Sequence, residues 1–126
     1  MTAPLGRRVL VVDDLHDMTD SMAILLRLLG HDVRVAYDGL HAITVAREFL
    51  PDVVLLDLGM TEMRGYDVAK RLRREPTCKD ALLVAVTGYG MEEDRHRTSE
   101  AGFDAHLLKP ADLGTLKALL ASGRHN

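Results

Sequence analysis

The sequence predicts an α/β domain: a doubly wound, five-stranded parallel sheet with five helices. Three observations lead there. Short aliphatic runs alternate with helical stripes five times along the chain, the order that βαβ units require. The runs are nearly continuous rather than alternating, as strands covered on both faces are. Right-handed crossovers then leave only a few doubly wound topologies.

In order, Val9–Val12 reads as the first strand, and Val33-Arg-Val-Ala36, less apolar, as an edge strand. Val53–Leu56, Leu82–Val86 and Leu107–Leu108 with Ala105 complete the set. Between them Leu15, Met18, Met22, Leu25, Leu26 and Leu29 fall on one helical stripe that Gly30 stops. Leu40, Ile43, Ala46 and Leu50 make a second stripe, closed by Pro51. Tyr66, Ala69 and Leu72 mark a third helix. Met91–Ala101 reads as a nearly all-polar fourth, and Leu113, Leu116 and Leu120 mark a fifth that tolerates Gly114.

With 126 residues the chain fits one domain, taken as 1–126 with its core at about residues 8–121 and short loose tails at Met1–Gly6 and Ser122–Asn126. Aromatics are 4% and Trp is absent, so the core must be aliphatic. A net charge of −3 gives no electrostatic footprint for nucleic acid. The lone Cys78 cannot form an internal disulfide and suits a reducing compartment. No apolar stretch approaches the ~18 residues of a membrane span, and Met1–Arg8 has no signal-peptide core. Composition therefore points to a small cytoplasmic domain that binds neither membrane nor nucleic acid.

The informative feature is a repeated position. The first strand ends in Asp13-Asp14, the third in Asp57, the fourth in Thr87-Gly88 and the fifth in Lys109-Pro110. In an open parallel sheet these carboxyl ends share one rim, where ligands bind at the reversal of strand order. Each residue has an ordinary reading of its own: an Asp after a strand often caps a helix, as Asp14 could, Thr87 can end a strand, and Lys109 can be a solvated loop residue. Five such placements together are not ordinary. Three carboxylates within ~4–6 Å repel at about 4 kcal/mol per close pair, and either protons or a divalent cation must relieve them. Hard oxygen donors suit Mg²⁺, which prefers phosphate as a further partner, with Mn²⁺ as the substitute ion. Lys109 and Thr87 supply what a phosphoryl group needs, a positive charge and a hydroxyl donor. A carboxylate can itself be the nucleophile. The pattern reads as a carboxylate phosphorylated with Mg²⁺ assistance.

Val11-Val-Asp-Asp14, Leu55-Leu-Asp-Leu-Gly-Met60 with Gly65, Val86-Thr-Gly88 and Leu108-Lys-Pro110 resemble the motifs of response-regulator receiver domains of two-component signalling. The likeness runs from Arg8 to about Leu120, and Ala101–Pro110 is especially similar to receivers attached to hybrid histidine kinases. The resemblance implies a flavodoxin-like strand order, 2-1-3-4-5. It implies that Asp57 accepts a phosphoryl group from a histidine kinase or a histidine phosphotransfer protein. Asp13, Asp14, Asp57 and the Gly59 carbonyl would hold the metal, Asp13 mostly through water. Lys109 would pair with the phosphate, Thr87 would bond it and move, and the Gly88 amide would donate to it. A cis Lys109–Pro110 bond would aim Lys109 inward. The response would pass to a downstream protein through Met91–Ala101 and the Ala105–Leu120 face, with no activity beyond the domain's own phosphorylation and dephosphorylation.

The chain departs from the family at several places. Thr61 stands where Pro is usual and Arg64 where an acid is usual, which changes only loop stiffness. His106 replaces the usual Tyr or Phe and reads either as a partly exposed strand residue or as a switch sensitive to pH. Gly59 and Tyr89 occupy the positions that tune phosphate lifetime. Two other functions compete: a small Mg²⁺-dependent phosphohydrolase working through an aspartyl phosphate, and a phosphorylation-independent interaction module. The first would usually carry an Asp at position 59, and the second usually loses an acid or the lysine.

Overall fold

The computed structural model describes residues 6–59, 65–88, 95–108 and 113–122. Five strands alternate with helices: β1 Arg8–Val12, α1 His16–Leu28, β2 Asp32–Ala36, α2 Gly39–Phe49, β3 Val53–Asp57, α3 Gly65–Arg74, β4 Leu82–Thr87, α4 Arg95–Ala101, β5 Ala105–Leu108 and α5 Leu113–Ser122. A short 3₁₀ turn at Pro76–Cys78, not anticipated from the sequence, precedes β4. All pairings are parallel and the order is β2-β1-β3-β4-β5, as the resemblance implied.

Alternating side chains send the strands into two cores. Leu10, Val12, Val54, Leu56, Leu83 and Ala85 meet α2, α3 and the end of α4 on one face. Val9, Val11, Val53, Leu55, Val84 and Leu107 meet α1 and α5 on the other. β3 and β4 are buried along their whole length, which is why their sequences are unbroken apolar runs. Edge strand β2 alternates, with Asp32 and Arg34 exposed.

Two helix faces differ from the predicted stripes. On α1 the buried positions are Thr19, Ala23 and Leu26, while Leu15 and Met18, expected in the core, are 56% and 43% exposed. On α2 Ile43 and Ala46 are buried as expected, but Leu40 and Leu50 are exposed and Gly39, Ala42 and Phe49 take their place. The buried faces mix small side chains (Ala23, Gly39, Ala42, Ala46) with large ones (Leu26, Ile43, Phe49), while the exposed leucines lie off them. Leu50 cannot continue the stripe because it is the helix C-cap, in the left-handed region at φ 57°. No described helix is long and apolar enough to cross a membrane.

Candidate phosphoacceptor site

The ends of β1 and β3 bring the predicted acids together. One carboxylate oxygen each from Asp13, Asp14 and Asp57 lies within 4.8 Å of the others. Asp13 and Asp57 are only 5% and 7% exposed, whereas Asp14 is half-buried. The proximity follows from register: Val12 pairs with Leu56, so the next residues of adjacent strands, Asp13 and Asp57, leave the sheet side by side. Asp57 pairs with Val86 in turn, which puts buried Thr87 and half-buried Gly88 at the next strand's end on the same rim. Lys109 lies outside the described residues, as do Pro110, Thr61, Arg64, Tyr89 and 91–94.

Local hydrogen bonds aim the carboxylates. The Leu15 amide donates to Asp13 Oδ1 at 3.0 Å, closing a tight turn just before α1. Asp14, which the sequence offers as a cap for this helix, is not its N-cap; that residue is Leu15, with no side-chain cap. The Gly59 amide donates to Asp57 Oδ1 at 3.1 Å, folding the loop after β3 over the carboxylate. Gly59 is exposed, so its carbonyl sits on an accessible loop. Thr19, overlooked in the sequence because a mid-helix Thr carries little signal, is 1% exposed. Its hydroxyl lies within donating distance of the Asp13 and Leu15 carbonyls, at 3.0 and 2.7 Å, tying α1 to the acidic turn. Tyr37, immediately after β2, stacks on His16 with ring centroids 3.8 Å apart and donates to Asp20. That bond holds its phenol above the usual range. Its place at a strand's carboxyl end was the available signal.

Gly65 shows why α3 must begin as it does. A Cβ there would stand 2.7 Å from the Asp57 carbonyl oxygen and 2.9 Å from Leu58 Cα. Backbone approach this close permits only glycine. The donor set is all hard oxygen and carries a concentrated negative charge, with two of its members buried. Such chemistry fits Mg²⁺ with retained waters.

His106 is half-buried on β5, and its Nε2 lies 2.9 Å from Oγ1 of Thr98, a fully buried α4 residue. It is a partly exposed strand residue, as one of the two readings had it, and its ring is engaged by α4. A polar cross-tie between α4 and β5 was not legible from either residue alone.

Residues 9–121 match the response regulator receiver domain family. The chain belongs to that family. It is 33% identical over 117 residues to the DNA-binding dual master transcriptional regulator RpaA of Synechocystis, covering 90% of this chain and 48% of RpaA. It is 38% identical over 106 residues to the DNA-binding response regulator MtrA of Mycobacterium tuberculosis, covering 84% of this chain and 45% of MtrA. The chain thus spans about half the length of these two curated relatives. Among solved structures it resembles chemotaxis protein CheY4 of Vibrio cholerae, with TM-score 0.84, 26% identity and coverage of 90% and 94% of the two chains. It also resembles the receiver domain of a Pseudomonas aeruginosa sensor histidine kinase, solved with magnesium coordinated in its active-site cleft (TM-score 0.82, 26% identity, coverage 93% and 96%). As a receiver of the two-component response-regulator kind, the domain is a signalling module rather than a classical enzyme.

Proposed function

We propose that Asp57 is the phosphoacceptor, taking a phosphoryl group from a phosphohistidine of a kinase or histidine phosphotransfer protein. The observation that carries this reading is the convergence of the Asp13, Asp14 and Asp57 carboxylates within 4.8 Å. In the transfer an Asp57 carboxylate oxygen attacks phosphorus in line. The P–N bond breaks as the P–O bond forms, and the departing imidazole nitrogen takes a proton from solvent. Mg²⁺, or Mn²⁺ in its place, would be held by Asp13, Asp14, Asp57 and the Gly59 carbonyl, and would supply charge neutralisation at the phosphoryl oxygens. Lys109 would pair with those oxygens, Thr87 would donate its hydroxyl after moving, and the Gly88 amide would donate alongside.

The added charge of about −1.5 to −2 would act through Thr87 on α4, altering contacts made by Met91–Ala101 and Ala105–Leu120 with a downstream protein. The reading treats residues 1–126 as one receiver acting in the cytoplasm through protein contacts, without nucleic acid or membrane of its own. A kinase-linked neighbour and DNA-binding relatives support the two directions of signal, in from a kinase and out to an effector.

The test is labelling by a small acyl or amide phosphodonor with and without Mg²⁺. The wild type should incorporate one phosphoryl group per chain only with the metal, and Asp57→Asn none. Equal labelling of both proteins would remove Asp57 as acceptor. Repeated turnover of a phosphate ester would favour the phosphohydrolase instead.

A further inference from the structure

The opposite end of the sheet holds a second polar site. Arg7, His31 and Asp52 immediately precede β1, β2 and β3, so they gather at the amino edge. That is a full strand length, about 16 Å, from the acidic rim. Together with Leu29, Lys117 and Leu120 they line a cavity of about 510 Å³, within the size range of small-molecule sites.

The donors in this cavity outnumber their acceptors. Arg7 spends its Nε–H on the Leu120 carbonyl, and its backbone N–H donates to His31 Nδ1 at 2.9 Å. Among the described residues no acceptor meets its two terminal guanidinium nitrogens, the Lys117 ammonium or His31 Nε2. With Nδ1 accepting, the neutral imidazole carries its proton on Nε2 and is a donor there. Burial first, and then the Arg7 charge, lower the His31 pKa. Asp52 lines the same cavity as the one carboxylate among its described side chains, against two cationic ones, and its Oδ2 accepts the Arg8 amide at 2.9 Å. One wall is apolar: Leu120 is 3% exposed and Leu29 half-buried.

We propose that this cavity binds a small organic anion, a carboxylate or phosphate monoester on an apolar body. The acidic group would lie between Arg7 and Lys117 with His31 donating, and the body would lie against Leu29 and Leu120. The guanidinium fork matches either oxyanion geometry. Occupancy would bridge the α1–β2 turn to the last turn of α5 and requires nothing of Asp57.

Nuclear magnetic resonance titration with benzoate, phenyl phosphate and benzyl alcohol, in chelator so that the acidic rim carries no divalent ion, tests this. Saturable shifts centred on Arg7, His31 and Lys117 are expected from both anions and not from the neutral alcohol. Comparing the two anions shows which acid is preferred. At saturation the His31 titration should move upward, because a bound anion favours imidazolium. Lys117→Met, at an exposed helix position that leaves the fold intact, should weaken binding about tenfold, and Arg7→Gln at least as much. The proposal is overturned if no saturable shift appears at these residues. It is equally overturned if the alcohol binds as well as the anions, or if Lys117→Met binds like wild type. Asp57→Asn should bind the anions unchanged, which separates this site from the acceptor reading.

Discussion

Helices α2 and α4 lean on the same face of the sheet by different means. α2 buries Gly39, Ala42, Ile43, Ala46 and Phe49, a continuous apolar seam. Among the described side chains of α4 only Thr98 and Ala101 are buried, and Thr98 is held through its hydroxyl to His106. Apolar contact is non-directional and accumulates with area. A single hydrogen bond is directional, contributes about 1 kcal/mol net and can be exchanged for another. The first arrangement makes scaffold. The second leans on a directional contact between α4 and β5, the kind of tie that the proposed switching of α4 would have to break.

The sharpest way to break this contrast is in the scaffold. Ile43→Ala, at a side chain 3% exposed, should lower global stability by about 2–5 kcal/mol in urea unfolding. A cost near zero would mean that α2 is no more firmly seated than α4. Next is Arg73, whose guanidinium donates to the carbonyls of Gly102 and Ala81 and pairs with Asp104. Arg73→Ala should cost about 2 kcal/mol, since several partly buried acceptors lose their donor. Smaller still, Thr98→Val should cost about 1 kcal/mol. Its signature is regional: α4 amides should exchange faster while those of α2 are unchanged, and uniform acceleration would count against a polar latch.

The smallest effect is pH dependence at the amino edge. The His31 pKa is lowered below 6.5 in the fold, so the unfolded chain binds more protons just below that value. Its contribution is therefore complete above pH 6.5 and is lost as pH falls towards the folded-state pKa. Protonation would also place a hydrogen on Nδ1, where the Arg7 amide now donates. In anion-free buffer, acidification should lower the urea midpoint of the wild type more than that of His31→Asn.

Legibility in the sequence followed the physics of each element. Strands β1, β3 and β4 were readable because burial on both faces leaves unbroken apolar runs, and the carboxylate rim was readable because each acid directly follows such a run. Helix faces were less so: Leu15, Met18, Leu40 and Leu50 suggested core by hydrophobicity alone, yet the small Ala23, Gly39 and Ala42 are the buried residues there. Thr19 and Thr98 went unread because a mid-helix Thr carries little signal, and Arg73 and Asp104 because their importance lies in partners distant in sequence. Arg73 and Asp104, for instance, meet across 31 positions.

Asp104 carries one further consequence. Its amide donates to the Leu83 carbonyl at 2.8 Å and its carboxylate accepts the Leu83 amide at 2.9 Å, so it docks as a rung of the ladder before β5 has begun. Gly102, at φ 104° and with no room for a Cβ beside Arg73, turns the chain just upstream. The downstream strand thus has its alignment set by an anchor that α4 does not own. If α4 is displaced as proposed, and its Thr98 tie to His106 is broken, this anchor would let the movement end at the turn while β5 keeps its place beside β4.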